Sequence, residues 1–263
     1  VQYTARILHV TSPELNNPVV RQSILRQRVE VGGTLVASSL ATEFNVSLDT
    51  IRRDILTLEE TGYVQRVRGG AVPLVASPTP IFSRLETKNP SRDALAQKAA
   101  GLTFDGMVLL FDGGSTLLSL AQKLPAMPNS LVVTPSPAIA LATLSKAIPT
   151  VLIGGRMSVA GGLAVGAETV KAISQISADL CFLGACALDP ETGLWADDYD
   201  EAAVKTQICA ASARICVVTT SEKLGRSARH HVIGSQGIDL LVTDATPQAV
   251  RAFEAEGLEL LHV

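Results

Sequence analysis

Five short stretches of this 263-residue chain hold the residue types that bind anions or move protons. Phe111-Asp112-Gly113-Gly114-Ser115-Thr116 runs from an apolar stretch into a helical pattern. Glycines there let backbone N–H groups approach an anion. Ser115 and Thr116 add hydroxyls, and the start of the following helix adds partial positive charge. A plain tight turn with a Ser/Thr cap is the competing reading. Thr134-Pro135-Ser136 and Ile153-Gly154-Gly155-Arg156 are two more such loops, and Gly161, Gly162 and Gly166 extend the second as a flexible flap. Glu201 and Lys205 stand four apart, which fits either a surface salt bridge along one helix or a pair of site residues. Thr219 to Gly225 brings Lys223, a point charge suited to phosphate. These residues could hold a phosphorylated small molecule. They could also isomerise one, with Glu201 as base and Lys205 or Lys223 polarising a carbonyl.

Such loops need a scaffold, and the chain supplies one. Short apolar runs recur at Met107–Phe111, Leu131–Thr134, Thr150–Ile153, Leu180–Leu183, Ile215–Thr219, Leu240–Thr243 and Leu258–His262. Helical patterns lie between most of them, among others Ser115–Lys123, Pro137–Lys146, Glu201–Ala211 and Pro247–Glu256. This alternation predicts an α/β domain built on a parallel sheet covered on both faces. Ligands of open parallel sheets bind outside the carboxyl ends of the strands, where the loops above fall.

The first third of the chain reads differently. A helix over Leu35–Phe44 places Val36, Leu40 and Phe44 on one face, and Asn45 tolerates the left-handed turn that ends it. Ser47 caps a second helix with Ile51, Ile55 and Leu58 inward, Gly62 closes that helix, and Tyr63–Val67 alternates like a strand before a Gly69-Gly70 turn. A helix-turn-helix of this kind lays its second helix in the DNA major groove, with the hairpin touching the backbone. Ser47, Leu48 and Thr50 are candidate DNA-binding residues, with Leu48 and Thr50 the candidates for base contacts, Leu48 through a thymine methyl. Arg52, Arg53, Arg66 and Arg68 suit phosphates, and one of them is available to read a guanine. An earlier helix, Pro18–Arg28, turns Val20, Ile24 and Leu25 or Val29 inward. Residues 1–17 lack periodicity and read as a flexible arm, and the three prolines of Pro73–Pro80 mark a linker.

Composition sets limits on these readings. At 47% hydrophobic the chain can bury one large core and a small one. No apolar run reaches the ~18–20 residues of a membrane span, and no signal-peptide layout is visible, so a cytoplasmic protein is expected. Cys181, Cys186, Cys209 and Cys216 form no C-x-x-C pair and sit in apolar settings, as reduced, buried thiols do. The adjacent His230 and His231 diverge on a helix or a strand, so no metal site is expected there. The net charge of −3 hides an asymmetry: residues 1–92 carry 11 cationic against 8 anionic side chains, residues 93–263 carry 11 against 17. The first 87 residues contain no lysine. Arginine's planar fork matches phosphate oxygens and guanine edges. A surplus of three charges is modest, so tight DNA binding is expected to need a homo-oligomer, at least a dimer.

The wording of the N-terminal segment is tighter than a generic pattern. Val46-Ser47-Leu48-Asp49-Thr50-Ile51-Arg52-Arg53-Asp54-Ile55, with Leu58-Glu59-Glu60-Thr61-Gly62 and Arg66-Val67-Arg68-Gly69-Gly70-Ala71-Val72, resembles the DNA-binding segment of the DeoR family. Those are bacterial transcription regulators with a winged helix-turn-helix before a sugar-phosphate-sensing domain. The resemblance extends over roughly residues 20–262. Its matching positions are Asp112, Gly113, Gly114, Ser115 and Thr116, Thr134 with Ser136, Gly154 with Gly155, Gly184, Glu201 with Lys205, and Lys223 with Gly225. The resemblance implies a Rossmann-like second domain similar to sugar-phosphate isomerases, with a pocket for a phosphorylated sugar-like effector. Three loops depart from the family: Pro135 stands where it usually has Asn, Cys186 where it has Asp or Asn, and Thr220-Ser221-Glu222-Lys223 where it has Asp-Ser-Ser-Lys.

The chain is therefore expected to comprise an arm at 1–17, a winged helix-turn-helix at 18–73, a linker at 74–91 and an effector-sensing α/β domain at 92–263. The expected function is a repressor of carbohydrate catabolism genes that binds double-stranded operator DNA. It is not expected to be an enzyme or to need a cofactor or metal, and it shows no membrane partner. A sugar-phosphate isomerase is the alternative, but it leaves Thr50 to Arg68 unexplained.

Overall fold

The computed structural model describes residues 17–30, 34–61, 63–67, 69–73, 81–86 and 89–263. Most of the arm, Gly62, Arg68 and residues 74–80 and 87–88 of the linker lie outside them. The chain divides into two compact units, Val1–Ala76 and Ser77–Val263.

The first unit runs α1 (Pro18–Glu30), β1 (Leu35–Val36), α2 (Ala37–Phe44), α3 (Leu48–Glu60), β2 (Val64–Val67) and β3 (Gly70–Pro73). Asn45 takes the left-handed conformation at φ 53°, which turns the chain sharply between α2 and α3. Ser47 Oγ then accepts the Thr50 N–H at 3.1 Å, satisfying one of the donors a helix start leaves open. Ile51, Ile55 and Leu58 of α3 are buried against Leu25 and Val29 of α1 and Leu40 and Phe44 of α2. Val20 and Ile24 are half-buried.

The first helix of the motif starts later than its pattern suggests. Leu35 and Val36 form a strand paired antiparallel with Ala71 and Gly70, so Val36 is exposed and leaves the helical face. This pairing brings the backbones so close that a Cβ on Gly70 would lie 1.8 Å from the Leu35 carbonyl oxygen. Only glycine fits there. The resulting sheet, ordered β1-β3-β2, makes the hairpin a wing.

Beneath α3 lies a buried ion pair. Arg21 is 3% exposed and grips Asp54 through Nε and, at 3.2 Å, through Nη2. Gln22 adds a bond to Asp54 Oδ1 at 3.2 Å.

The second unit contains α4 (Ile81–Glu86), α5 (Pro90–Ala100), β4 (Val108–Phe111), α6 (Ser115–Lys123), β5 (Leu131–Thr134), α7 (Pro137–Leu144), β6 (Thr150–Leu152), β7 (Arg156–Met157), β8 (Ala164–Val165) and α8 (Ala167–Ile173). It continues with β9 (Leu180–Gly184), β10 (Ala187–Asp189), β11 (Gly193–Ala196), α9 (Tyr199–Ala210), β12 (Ile215–Val218), β13 (His230–Ile233), β14 (Leu240–Thr243), α10 (Pro247–Ala255) and β15 (Glu259–His262). Seven strands form one parallel sheet in the order β15-β14-β12-β9-β4-β5-β6, and they are the seven apolar runs of the sequence. Alternate residues feed two cores. Leu110 packs in the layer with Val204, Ile208, Val250 and Phe253, whereas Leu109 and Phe111 pack with Leu95, Leu117 and Leu120.

Chain order reverses between β4 and β9. From β4 the sheet grows through β5 and β6 on one side, and through β9, β12, β14 and β15 on the other. Crevices at such switch points are where ligands sit in open α/β sheets. The glycine-rich stretch 154–166, expected as a flexible flap, is instead largely the β7–β8 hairpin, with Arg156 opposite Val165 and Met157 opposite Ala164.

Removing one partner of a buried ion pair strands the other, so Asp54→Ala should cost about 3–5 kcal/mol. Hydrogen exchange of the α3 amides in the full chain reads this loss locally. The double variant Arg21→Met/Asp54→Leu should recover most of the protection; unchanged exchange in Asp54→Ala would show that the pair is dispensable.

Candidate functional site

Each unit carries a site of its own. In the first, α3 and the wing border a cleft lined by Leu48, Arg52, Ile55, Arg66, Val67, Gly69 and Gly70. Leu48 is 37% exposed, as a base-contacting apolar side chain must be. Thr50 is half-buried and its hydroxyl lies 2.8 Å from Ser47 Oγ, so the two side chains support the helix start. The arginines differ in readiness. Arg53 is paired with Asp49 at 3.1 Å along the helix, and Arg66 with Glu59 across to the wing. The Arg66 backbone N–H and then its guanidinium hold the Glu59 carboxyl below its ordinary range. Arg52 is exposed and makes no ion pair among the described residues. Arg68 lies outside them.

The second site is a cavity of 370 Å³ at the β4/β9 switch point, within the ~300–1,000 Å³ of small-molecule pockets. Asp112, Gly113, Gly114, Ser115 and Thr116 line it, as do Gly184, Glu201, Lys205 and Lys223. Gly114 sits at φ 108° immediately before α6, a conformation that favours glycine and brings the loop round to the helix start. Lys205 is 4% exposed and does not pair with Glu201. Its ammonium reaches Asp112 Oδ2 and, at 2.9 Å, the Gly184 carbonyl. Burial is the largest single influence on Lys205 and lowers its pKa, but Asp112, Cys186 and Glu201 together outweigh it, so the net value lies above the ordinary one. Glu201 accepts the Ser158 hydroxyl from the tip of the β7–β8 hairpin. These two residues are thus a pair of buried brackets rather than a surface salt bridge.

Thr134, Ser136, Gly154 and Gly155 do not line this cavity. Thr134 Oγ accepts the Ser136 N–H at 3.1 Å, and Ser136 Oγ donates to the Gly162 carbonyl at 3.3 Å, which ties β5 to the hairpin. The Gly154 carbonyl accepts Thr169 Oγ at 2.9 Å. In their place the cavity takes Ser83, Arg84, Asn89 and Arg92 from α4 and the start of α5, and Asp197 and Asp198 from the start of α9. The sequence reading passed over all six. One signal was available: Asp198 caps α9 by accepting the Glu201 N–H at 2.9 Å. Desolvation raises the Asp197 carboxyl, against the pull of Arg229, Lys223 and His230.

Cys186 lines the cavity, and its thiol is pushed up by burial. Burial pushes Cys181 to about 12, and Cys209 and Cys216 upward as well. All three are buried. His230 and His231 diverge along β13 onto separate rings, His230 against Tyr199 and His231 against Trp195. Among the described residues no group of three or more His, Cys, Asp or Glu could hold a metal ion, and no helix is long and apolar enough to cross a membrane.

A winged helix-turn-helix followed by a parallel sheet with a polar cavity at its switch point defines a ligand-sensing transcriptional regulator. The comparisons agree. Residues 21–75 match the DeoR-like helix-turn-helix domain, and residues 87–245 match the DeoR C terminal sensor domain. The HTH-type transcriptional regulator GlpR of Haloferax volcanii is 33% identical over 83% of this chain and 86% of its own length. The glycerol-3-phosphate regulon repressor of Escherichia coli is 30% identical over 86% of this chain and 91% of its own. Among solved structures, the probable sor operon regulator from Shigella flexneri gives a TM-score of 0.44 at 12% identity, over 65% of this chain and 89% of that one. The chain belongs to the DeoR family.

The Asp112–Lys205 pair generates a stability prediction. Asp112→Ala leaves a buried ammonium and should destabilise the second unit by about 3–5 kcal/mol. Trp195, the single tryptophan, reports urea unfolding of that unit by fluorescence. Because the Lys205 pKa is raised, its contribution is full below about pH 10.4, the unfolded value, and is lost only as pH climbs through the folded one. A wild-type transition that already weakens between pH 7 and 9 through this pair would contradict the assignment.

Proposed function

We propose that the chain is a repressor that binds operator DNA through α3 and the β2–β3 wing, and that a phosphorylated sugar or related metabolite in the switch-point cavity changes its DNA affinity. The supporting observation is one juxtaposition: the Gly113–Thr116 loop and the start of α6 open into a cavity lined by both cations and carboxylates, in a chain that also carries a DNA-binding wing. Backbone N–H groups and a helix start suit a phosphate, and the carboxylates suit hydroxyls. Relatives named for a glycerol-3-phosphate regulon favour the same effector class. The proposed organisation is an arm to residue 17, the DNA-binding domain at 18–73, a linker at 74–91 and the sensing domain at 92–263. The chain acts in the cytoplasm as at least a dimer, since a small cationic surplus needs two half-sites for tight binding.

The isomerase reading is disfavoured by what its would-be catalytic groups touch. Glu201, the would-be base, accepts the Ser158 hydroxyl; of the two candidate polarising groups, Lys205 is held by Asp112 and the Gly184 carbonyl, and Lys223 stays at the rim 3.7 Å from Glu222. Turnover of candidate sugar phosphates tests the point directly.

Fluorescence anisotropy with duplex DNA across a salt series tests the first half of the proposal. Arg52→Ala should weaken all sequences alike and lower the salt slope by about one. Asp49→Asn should tighten binding, because Arg53 is then released from its own carboxylate. Absence of salt-sensitive DNA binding in the full chain would remove the central claim.

A thermal-shift and calorimetric screen of phosphorylated sugars tests the second half. Ser115→Ala and Lys223→Ala should each weaken the bound member by about ten- to a hundredfold, the size of one charge-assisted hydrogen bond. Cys186 bonds weakly and Thr220 carries no charge, so epimers should differ by less than about a hundredfold. A larger preference for one fully hydroxylated epimer would assign the reading to other residues.

A further inference from the structure

The four cations around the cavity are not equivalent. Lys205 is buried and engaged by Asp112 and the Gly184 carbonyl. Lys223 stands 3.7 Å from Glu222, with a side chain 36% exposed at the rim. Arg84 and Arg92 come from a different place, the segment Ile81–Arg92 that precedes the sheet. Arg84 donates through Nη2 to the Ala160 carbonyl at the tip of the β7–β8 hairpin. Its Nε is buried without a hydrogen-bond partner among the described residues, and it forms no salt bridge among them. Arg92 stands in the first turn of α5, where Asn89 caps its N–H, and it donates through Nη1 to the Arg84 carbonyl at 3.0 Å. The two arginines are therefore joined through the backbone of α4.

That segment is seated on the hairpin. Ile81 packs against Gly162 so closely that a Cβ there would come within 2.9 Å of its Cγ2. The hairpin tip is in turn fixed to α9 by the Ser158–Glu201 bond. Arg84 lines the cavity with no carboxylate partner among the described residues, and Arg92 lines it beside Arg84, so an anion there meets guanidinium charge that the protein has not already neutralised at Arg84.

We propose that Arg84 and Arg92 hold the phosphate of the effector, together with the Gly113–Thr116 loop, so that α4 and the first turn of α5 form a strap fastened by the ligand. Two planar forks suit the oxygens of a phosphate monoester better than a single ammonium does, and they stay charged at any physiological pH. The strap is the first described segment after the wing's last residue, Pro73. Occupancy is thus registered on the part of the sensing unit nearest in sequence to the DNA-binding unit. The proposal rests on the reading of the cavity as the effector site.

The test uses the full chain with glycerol 3-phosphate, glucose 6-phosphate and inorganic phosphate as probes, and glycerol and glucose as unphosphorylated counterparts. Arg84→Met and Arg92→Met should weaken the phosphorylated probes by about ten- to a hundredfold in calorimetry, and Arg92→Lys should recover part of that loss. Trp195 fluorescence in urea establishes that each variant is folded. A measurement on the wild type needs no variant: amides of residues 81–92 should exchange more slowly once a phosphorylated probe is bound, and not with glycerol or glucose. Wild-type affinity in both arginine variants, or unchanged exchange over 81–92, overturns the strap while leaving the effector cavity standing. A wild-type chain that binds none of the three phosphate-bearing probes overturns the effector reading and the strap together.

Discussion

The sensing unit depends on one buried charge pair. Lys205 projects from α9 into the switch point, meets the carboxylate of Asp112 at the end of β4, and donates to the carbonyl of Gly184 at the end of β9. Asp112 closes the triangle by accepting the Gly184 N–H at 3.3 Å. Two strands that part at this crevice are therefore held in register by a side chain from a helix. Neither charge can leave without stranding the other buried and unpaired. The Gly113–Thr116 loop begins one residue after the clamp, so its backbone donors inherit a fixed position. Preorganisation of this kind is what a binding site requires if ordering its groups is not to consume the affinity.

The DNA-binding unit solves a smaller version of the same problem. Its core is small, and its charges must be sorted between support and display. Arg21 and Asp54 go inside, together with Gln22, and fix α1 beneath α3. Ser47 and Thr50 secure the start of α3. What remains outward is the set that a polyanion would meet. An arginine count taken from composition alone overstates that set, because Arg21 belongs to the core.

The seven sheet strands were legible because strands buried on both faces read as continuous apolar runs, Ile215–Val218 being a clear case. The turn at Asn45 and the cap at Ser47 were legible because each acts through its own neighbours. Leu35–Val36 was not, since two residues become a strand only by pairing with Ala71 and Gly70, far along the chain. Glu201 and Lys205 were recognised as a pair by spacing, yet the fold sends one to the hairpin and the other to the sheet. Thr134 and Ser136 have the chemistry of ligand contacts, but they spend it on the β5 turn and the hairpin. Arg84 and Arg92 carry no local mark. They reach the cavity wall in a fold where α4 is laid on Gly162, a long-range fact that no window of sequence contains.

The pairing of Arg53 with Asp49 and of Arg66 with Glu59 has a consequence for the thermodynamics of association. These carboxylates act as tethered counterions. When a phosphate takes over the guanidinium, the displaced Asp or Glu must recruit a cation from solution, which offsets part of the ion release from the nucleic acid. On the proposed interface, the number of ions released on binding would therefore fall short of the number of arginine–phosphate contacts. Counting contacts from the salt dependence alone would make this interface look smaller than it is.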